Sequence, residues 1–107
     1  MRRPTEARQP DPRQPAGWVV AVLVERPGQG PQRRYFAIGE AERARAEWTA
    51  VDMAIGLGEA VAASPVQGQE PVEALAGLPP ARMTRLGLAP GARRDLGDLR
   101  PRRWLSP

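Results

Sequence analysis

The longest uninterrupted apolar run of the chain covers residues 18–24, where tryptophan, valine, alanine and leucine follow one another without a polar residue. A run of this kind, rich in β-branched side chains, is typical of a β-strand that is buried on both faces. Residues 27–31 then supply two prolines and two glycines, which favour a turn, and residues 33–38 end in a second apolar stretch. The pattern predicts a β-hairpin.

The next stretch, residues 40–56, is rich in alanine and predicts an α-helix. Four of its apolar residues recur at 4-3-4 spacing and share one helix face: Ala44, Trp48, Val51 and Ile55. We expect this face to pack against the hairpin, while Glu40, Arg43 and Glu47 on the opposite face lie in solvent.

The end of this helix is predicted from two residues. Gly56 suits the left-handed position after a helix, and Leu57 suits the apolar position that folds back onto the last turn. Residues 59–63 leave two alternatives open, since they could continue the helix past two glycines or form a short third strand that ends before Pro65. We favour the strand.

The second half of the chain predicts little regular structure. Residues 71–78 and 80–86 each begin with proline and end near a glycine, which predicts two short helices. Glycines and prolines interrupt residues 89–107, and four prolines alternate with charged residues in residues 1–17. We therefore predict a disordered basic arm at 1–17, one small domain at 18–88 and an extended basic arm at 89–107.

These elements predict an α+β fold in which a β-hairpin is followed by a helix. The order is ββα, or ββαβ if residues 59–63 form a strand, with short helical turns and flexible arginine- and proline-rich arms added to it. At 107 residues, with 13 prolines and 11 glycines, the chain has room for one small core.

Composition narrows the possible chemistry. The chain has no Cys, His, Lys or Asn, and all 16 of its basic residues are arginine. The codon bias of a high-GC bacterium explains this mixture, so the choice of arginine over lysine is weak evidence of function. Disulfides and thiolate metal sites are excluded, and the commonest catalytic bases and nucleophiles are missing.

We accordingly predict a protein that is not an enzyme and that has no catalytic, cofactor-binding or metal-binding residues. An active site that uses Glu25 or Asp52 near Tyr35 has no spacing to recommend it. Asp95 and Asp98 could share a cation, but Gly97 between them and the arginines nearby argue against it. The polar N-terminal residues and the lack of a long apolar stretch predict a small soluble cytoplasmic protein without a membrane span.

The predicted function is that of a non-catalytic protein-interaction module or accessory subunit. One helix covers only one face of strand 18–24, so the other face needs residues 71–88, a second copy in a homodimer, or a different protein. The residues predicted to bind this partner are Trp18, Val20, Val22, Arg102, Arg103 and Trp104. For Trp104 a second interpretation stays open, in which its ring packs onto the protein's own core.

Nucleic-acid binding is the alternative function. Residues 18–64 hold five arginines and six acids, a net charge of −1, whereas residues 65–107 hold seven arginines and four acids, a net charge of +3. Flexible basic segments bind phosphates, and an aromatic residue can add stacking on a base. The residues predicted for this role are Arg93, Arg94, Arg100, Arg102 and Arg103.

Overall fold

The structure, a computed structural model, describes residues 11–106, so residues 1–10 of the predicted N-terminal arm and Pro107 lie outside the described residues. The α+β fold is confirmed, and residues 11–106 contain a five-stranded antiparallel sheet and three helices. In chain order the elements are β1 (Gly17–Glu25), β2 (Gln32–Ile38), α1 (Arg43–Gly56), β3 (Ala60–Val61), β4 (Val72–Leu78), α2 (Pro80–Leu86), β5 (Arg93–Gly97) and α3 (Arg102–Leu105).

The predicted hairpin is the centre of the sheet. β1 pairs with β2 from Trp18 opposite Ile38 to Val24 opposite Gln32. The other edge of β1 is shared by two strands placed end to end, with β4 beside residues 17–22 and β3 beside the last two residues. β5 extends the sheet on the far side of β2. The strand favoured for residues 59–63 is thus present, although β3 is only two residues long.

Helix α1 covers the first face of the sheet, but with a different helix face from the one predicted. Its buried residues are Ala46, Ala50 and Ala54, which pack against the valines of β1 and against Phe36 and Ile38 of β2. Because the sheet already supplies large side chains here, only small residues let the helix approach closely enough to leave no void. Trp48 and Ile55, predicted to be buried, point into solvent.

Helix α1 ends at the predicted residue, but the left-handed residue that closes it lies two positions later than predicted. Gly56 is the last helical residue, and the positive φ of 88° belongs to Gly58. The Glu59 amide donates to the Ala54 carbonyl and the Gly58 amide to the Ile55 carbonyl, which is the hydrogen-bond pattern of a Schellman motif. Glu59, not Leu57, is therefore the residue that this turn directs back towards the sheet.

The second face is covered from within the chain. The predicted helix at residues 71–78 is wrong, because Val72–Leu78 form β4. β1 has an open edge whose backbone groups need partners, and this requirement outweighs the local proline and glycine pattern. Helix α2 lies where it was predicted. The buried residues of this face form one cluster: Val19, Ala37, Leu78, Met83, Leu86, Leu88 and Trp104.

The described part of the predicted C-terminal arm, residues 89–106, contains a strand and a helix and is not an extended arm. β5 pairs with the outer edge of β2, and α3 brings the Trp104 ring against the second face, where only 7% of the residue is exposed. Both contacts are long-range, so no local pattern within these residues could have indicated them. The cover that the second face of β1 required is thus supplied by residues 78–104 of the same chain.

Candidate interaction surfaces

The outer face of α1 carries an apolar stripe, which consists of Ala44, Trp48, Val51 and Ile55. Trp48 is 71% exposed and Ile55 is 58% exposed. Alanines on the inner face hold the helix on the sheet, so the large apolar residues on the outer face are not needed for that contact. A stripe of this size on a helix is an arrangement that, in soluble proteins, commonly marks a contact with another molecule.

A shallow groove of about 190 Å³ lies between this stripe and β4. Trp48, Val51 and Val72 line it together with Glu47. The Glu47 carboxylate accepts a hydrogen bond from the Ala74 amide, with 3.3 Å between nitrogen and oxygen. Glu47 thus satisfies one outward-facing amide of β4, an edge strand, and leaves an apolar recess beside the indole of Trp48.

A cluster of charged residues occupies the first face of the sheet beyond the end of α1. At its centre is Glu59, whose side chain is 10% exposed and which pairs with both Arg26 and Arg34. The Arg34–Glu59 separation is 2.8 Å. Two further carboxylates close the cluster, since Asp98 binds Arg26 through both oxygens at 2.8 and 2.9 Å and Asp95 binds Arg34.

Each acid of this cluster is held in its ionised form. The hydrogen bond from Arg26, and then the one from Arg34, lowers the pKa of Glu59 from its usual 4.5 to about 2. The hydrogen bond from Arg34 lowers the pKa of Asp95, and the one from Arg26 lowers the pKa of Asp98. The same contacts raise the pKa of both arginines.

The ion pairs of this cluster join three separate parts of the chain. Glu59 follows α1, Arg26 and Arg34 belong to the hairpin, and Asp95 and Asp98 come from β5 and the residue after it. Every carboxylate is already engaged by a guanidinium, so none is poised to accept a proton from a substrate. Within residues 11–106 no group of three or more acidic residues is arranged to hold a metal ion.

A second group of arginines lies around a groove between α2 and α3. Arg82, Arg85 and Arg103 line it, and an Arg82 Nη2 donates to the Arg103 carbonyl at 3.0 Å. Among the described residues, none of these three guanidiniums forms a salt bridge. The guanidiniums of this basic groove thus have no described carboxylate partner, whereas both guanidiniums of the Glu59 cluster are paired.

The residues predicted to bind a protein partner do not form one exposed surface. Val20 and Val22 are fully buried beneath α1, so as folded they belong to the core and offer no surface. Trp18 is half-buried, and its Nε1 donates to the Ala41 carbonyl at 2.9 Å. Trp104 packs in the second-face cluster, as its alternative interpretation had it, whereas Arg102 and Arg103 are exposed.

The five arginines of the nucleic-acid alternative do not form one surface. Arg94 lies over the Trp104 ring at 5.5 Å and donates to the Leu86 and Gly87 carbonyls, so it fixes the end of α2. Arg93, Arg100 and Arg102 are exposed, and only Arg103 lines the basic groove. Its neighbours Arg82 and Arg85 were not predicted, although their spacing of three on a predicted helix indicates a shared face.

No protein-family model, no curated protein and no solved structure matches this chain. In the described residues no helix is long and apolar enough to cross a membrane.

Proposed function

We propose that this protein is a non-catalytic interaction module that forms a homodimer through the outer stripe of α1. The observation that carries the proposal is the exposure of Trp48 and Ile55 on a helix whose inner face is already packed with alanines. In this dimer a twofold axis places the two copies of α1 side by side, and each stripe buries the other.

The spacing of the stripe supports a helix-to-helix contact. Ala44, Trp48, Val51 and Ile55 follow the alternating 4-3-4 pattern of a coiled-coil seam. When two copies pack antiparallel, Trp48 lies opposite Val51 of the second copy. Ala44 then lies opposite Ile55 of the second copy. Each layer therefore joins a larger side chain to a smaller one.

The charges that flank the stripe favour the antiparallel orientation. In that orientation Arg45 lies beside Asp52 of the second copy, and by symmetry the pair occurs twice. In the parallel orientation Glu47 would lie beside Asp52 of the second copy, which brings two carboxylates together. Arg45 and Asp52 are both exposed, and Arg45 also lies 3.4 Å from the Glu42 carboxylate, a weak surface pair that it would exchange for Asp52 of the second copy.

The apolar area of the stripe determines how tightly the two copies should associate. Removing a large apolar side chain from water contributes about 1.5–3 kcal/mol, and a twofold contact buries Trp48, Val51 and Ile55 of both copies. Association costs at least about 4 kcal/mol in lost freedom of motion. The lower limits of the two ranges, about 9 kcal/mol gained and about 4 kcal/mol lost, correspond to a dissociation constant of about 0.2 mM, so we expect a reversible monomer–dimer equilibrium.

The test is sedimentation velocity of the full chain over a concentration series. The expected result is a monomer–dimer equilibrium for the natural chain and a monomer for Trp48→Ala at every concentration. Leu99→Ala is the matched control, because Leu99 is an apolar residue that is 84% exposed but lies outside the stripe. A natural chain that stays monomeric at its solubility limit overturns the proposal.

The antiparallel orientation of the two helices is tested separately, by exchanging the charges of Arg45 and Asp52. Arg45→Asp should weaken the dimer, and adding Asp52→Arg in the same chain should restore it, since the antiparallel pair is then re-formed with its signs reversed. If the double variant is no stronger than Arg45→Asp alone, the antiparallel arrangement is wrong.

A further inference from the structure

The groove between α2 and α3 has two adjoining parts with different linings. The smaller part, of about 240 Å³, is lined by the three guanidinium-bearing residues Arg82, Arg85 and Arg103. The larger part, of about 440 Å³, extends from Arg82 and Arg85 over a mainly apolar floor that includes Ala81, Trp104 and Leu105. The groove thus offers a basic end and an apolar end to one ligand.

The basic end holds positive charge that no described residue offsets. Elsewhere in residues 11–106, Arg26, Arg33 and Arg34 each pair with a carboxylate on the sheet. Three arginines that share one groove without an acid repel one another, and this repulsion is relieved when an anion enters. Arg82 is already held against α3 by its bond to the Arg103 carbonyl, so part of the ordering needed to bind an anion is in place.

We propose that this groove binds a nucleotide, with its phosphate among Arg82, Arg85 and Arg103 and its sugar or base against the apolar floor. The planar guanidinium matches phosphate oxygens with two parallel hydrogen bonds, which an ammonium cannot do. The volume of the larger part lies within the roughly 300–1,000 Å³ typical of small-molecule pockets. The nucleotide is either free or one unit of a single-stranded nucleic acid, because both present the same phosphate and ring.

Arg94 supports the groove and does not bind the ligand. Its guanidinium lies over the Trp104 ring, and its donors are directed to the last carbonyls of α2. This arrangement holds Trp104 in the floor and fixes α2, which carries Arg82 and Arg85. Two of the three ligand-binding arginines, Arg82 and Arg85, thus lie outside the basic C-terminal segment at residues 89–107.

The experiment measures binding of AMP, inorganic phosphate and a short single-stranded oligothymidine to the full chain by titration calorimetry. We expect AMP or the oligothymidine to bind, and the double variant Arg85→Gln, Arg103→Gln to lose at least about tenfold in affinity, since the loss of a single charge-assisted hydrogen bond already accounts for about that factor. Arg93→Gln, Arg100→Gln is the matched control, because it removes the same charge from exposed residues outside the groove. The control should change the affinity by less than about threefold.

The two sources of the nucleotide are separated by the same titrations. Equal affinity for AMP and the oligothymidine assigns the groove to a free nucleotide. A much tighter oligothymidine complex assigns the groove to single-stranded nucleic acid. The logarithm of its binding constant should then fall by about 0.7 per tenfold rise in salt for each phosphate contacted.

Three outcomes overturn the inference: no probe binds, both double variants lose affinity equally, or an acidic peptide binds as tightly as AMP with the same dependence on Arg85. The single variant Arg85→Gln guards against misfolding, because the Arg85 side chain makes no hydrogen bond to any described residue. Its circular dichroism and thermal unfolding should match those of the natural chain while its affinity falls.

Discussion

Arg26 and Arg34 lie among three carboxylates on the first face of the sheet, whereas Arg82, Arg85 and Arg103 lie around a groove in which no described carboxylate reaches them. Both groups come from a chain whose basic residues are all arginine. A codon bias accounts for the number of arginines, but it acts on every position alike and therefore cannot account for this segregation.

The difference follows from burial and from the elements that carry each group. The hairpin arginines are about four-fifths covered, and a guanidinium that loses this much water requires a compensating anion. Glu59 supplies it, because the Schellman turn after α1 directs that residue to the sheet. The groove arginines lie on short helices at the surface, where water screens their repulsion and a ligand can replace the water.

Glu59→Gln should have the largest effect on stability, because it removes the charge that Arg26 and Arg34 share while leaving both guanidiniums in place. We expect the free energy of unfolding to fall by about 1–3 kcal/mol, measured by urea denaturation at neutral pH. Glu70→Gln makes the same change in net charge at an exposed position and should cost less than about 0.5 kcal/mol. Equal losses in the two variants would mean that the cluster contributes nothing beyond net charge.

The stability of the protein should also fall in acid, and the pKa values of the cluster determine the pH range over which it falls. The pKa of Glu59 is lowered from 4.5 to about 2 by folding, so its contribution is fully present above pH 4.5 and is lost as the pH falls towards 2. Asp95 and Asp98 act in the same direction, since their pKa values are lowered as well. Urea midpoints measured from neutral pH to pH 2 should decline over this range, and the decline should be shallower in Glu59→Gln.

Much of the fold can be predicted from the sequence, because its central elements are defined by local patterns. The apolar run of residues 18–24 and the turn after it indicate the hairpin, and the proline at the start of α2 indicates that helix. β4 and β5 could not be predicted in the same way. They form because the edges of β1 and β2 need backbone partners, which is a requirement of the sheet and not of residues 72–78 or 93–97.

The orientation of α1 shows why the surfaces were harder to predict than the elements. Two apolar faces are present on this helix, and the larger side chains of Trp48 and Ile55 suggested the wrong one as the core. Which face of the helix packs inward depends on the space between helix and sheet. The valines, Phe36 and Ile38 of the sheet fill most of this space, so only alanines fit on the helix side. The Glu59 cluster was missed for a related reason, because its members lie as far as 72 positions apart in the chain.

The smallest change in stability is expected at the unpaired group, where Arg85→Gln removes a guanidinium that has no described acidic partner. Its free energy of unfolding should stay within about 0.5 kcal/mol of the natural chain, and at low salt the variant should be slightly more stable because Arg82 and Arg103 lose a like-charged neighbour. This gain should shrink as salt is added and be largely lost near 1 M salt, where the screening length falls to about 3 Å. Arg34→Gln is the same substitution in the paired group, and it should destabilise the protein at every salt concentration because Glu59 and Asp95 both lose a donor. Opposite signs at low salt would establish that the surroundings of an arginine, and not its abundance, decide what it does here, whereas equal destabilisation by the two substitutions would remove the distinction.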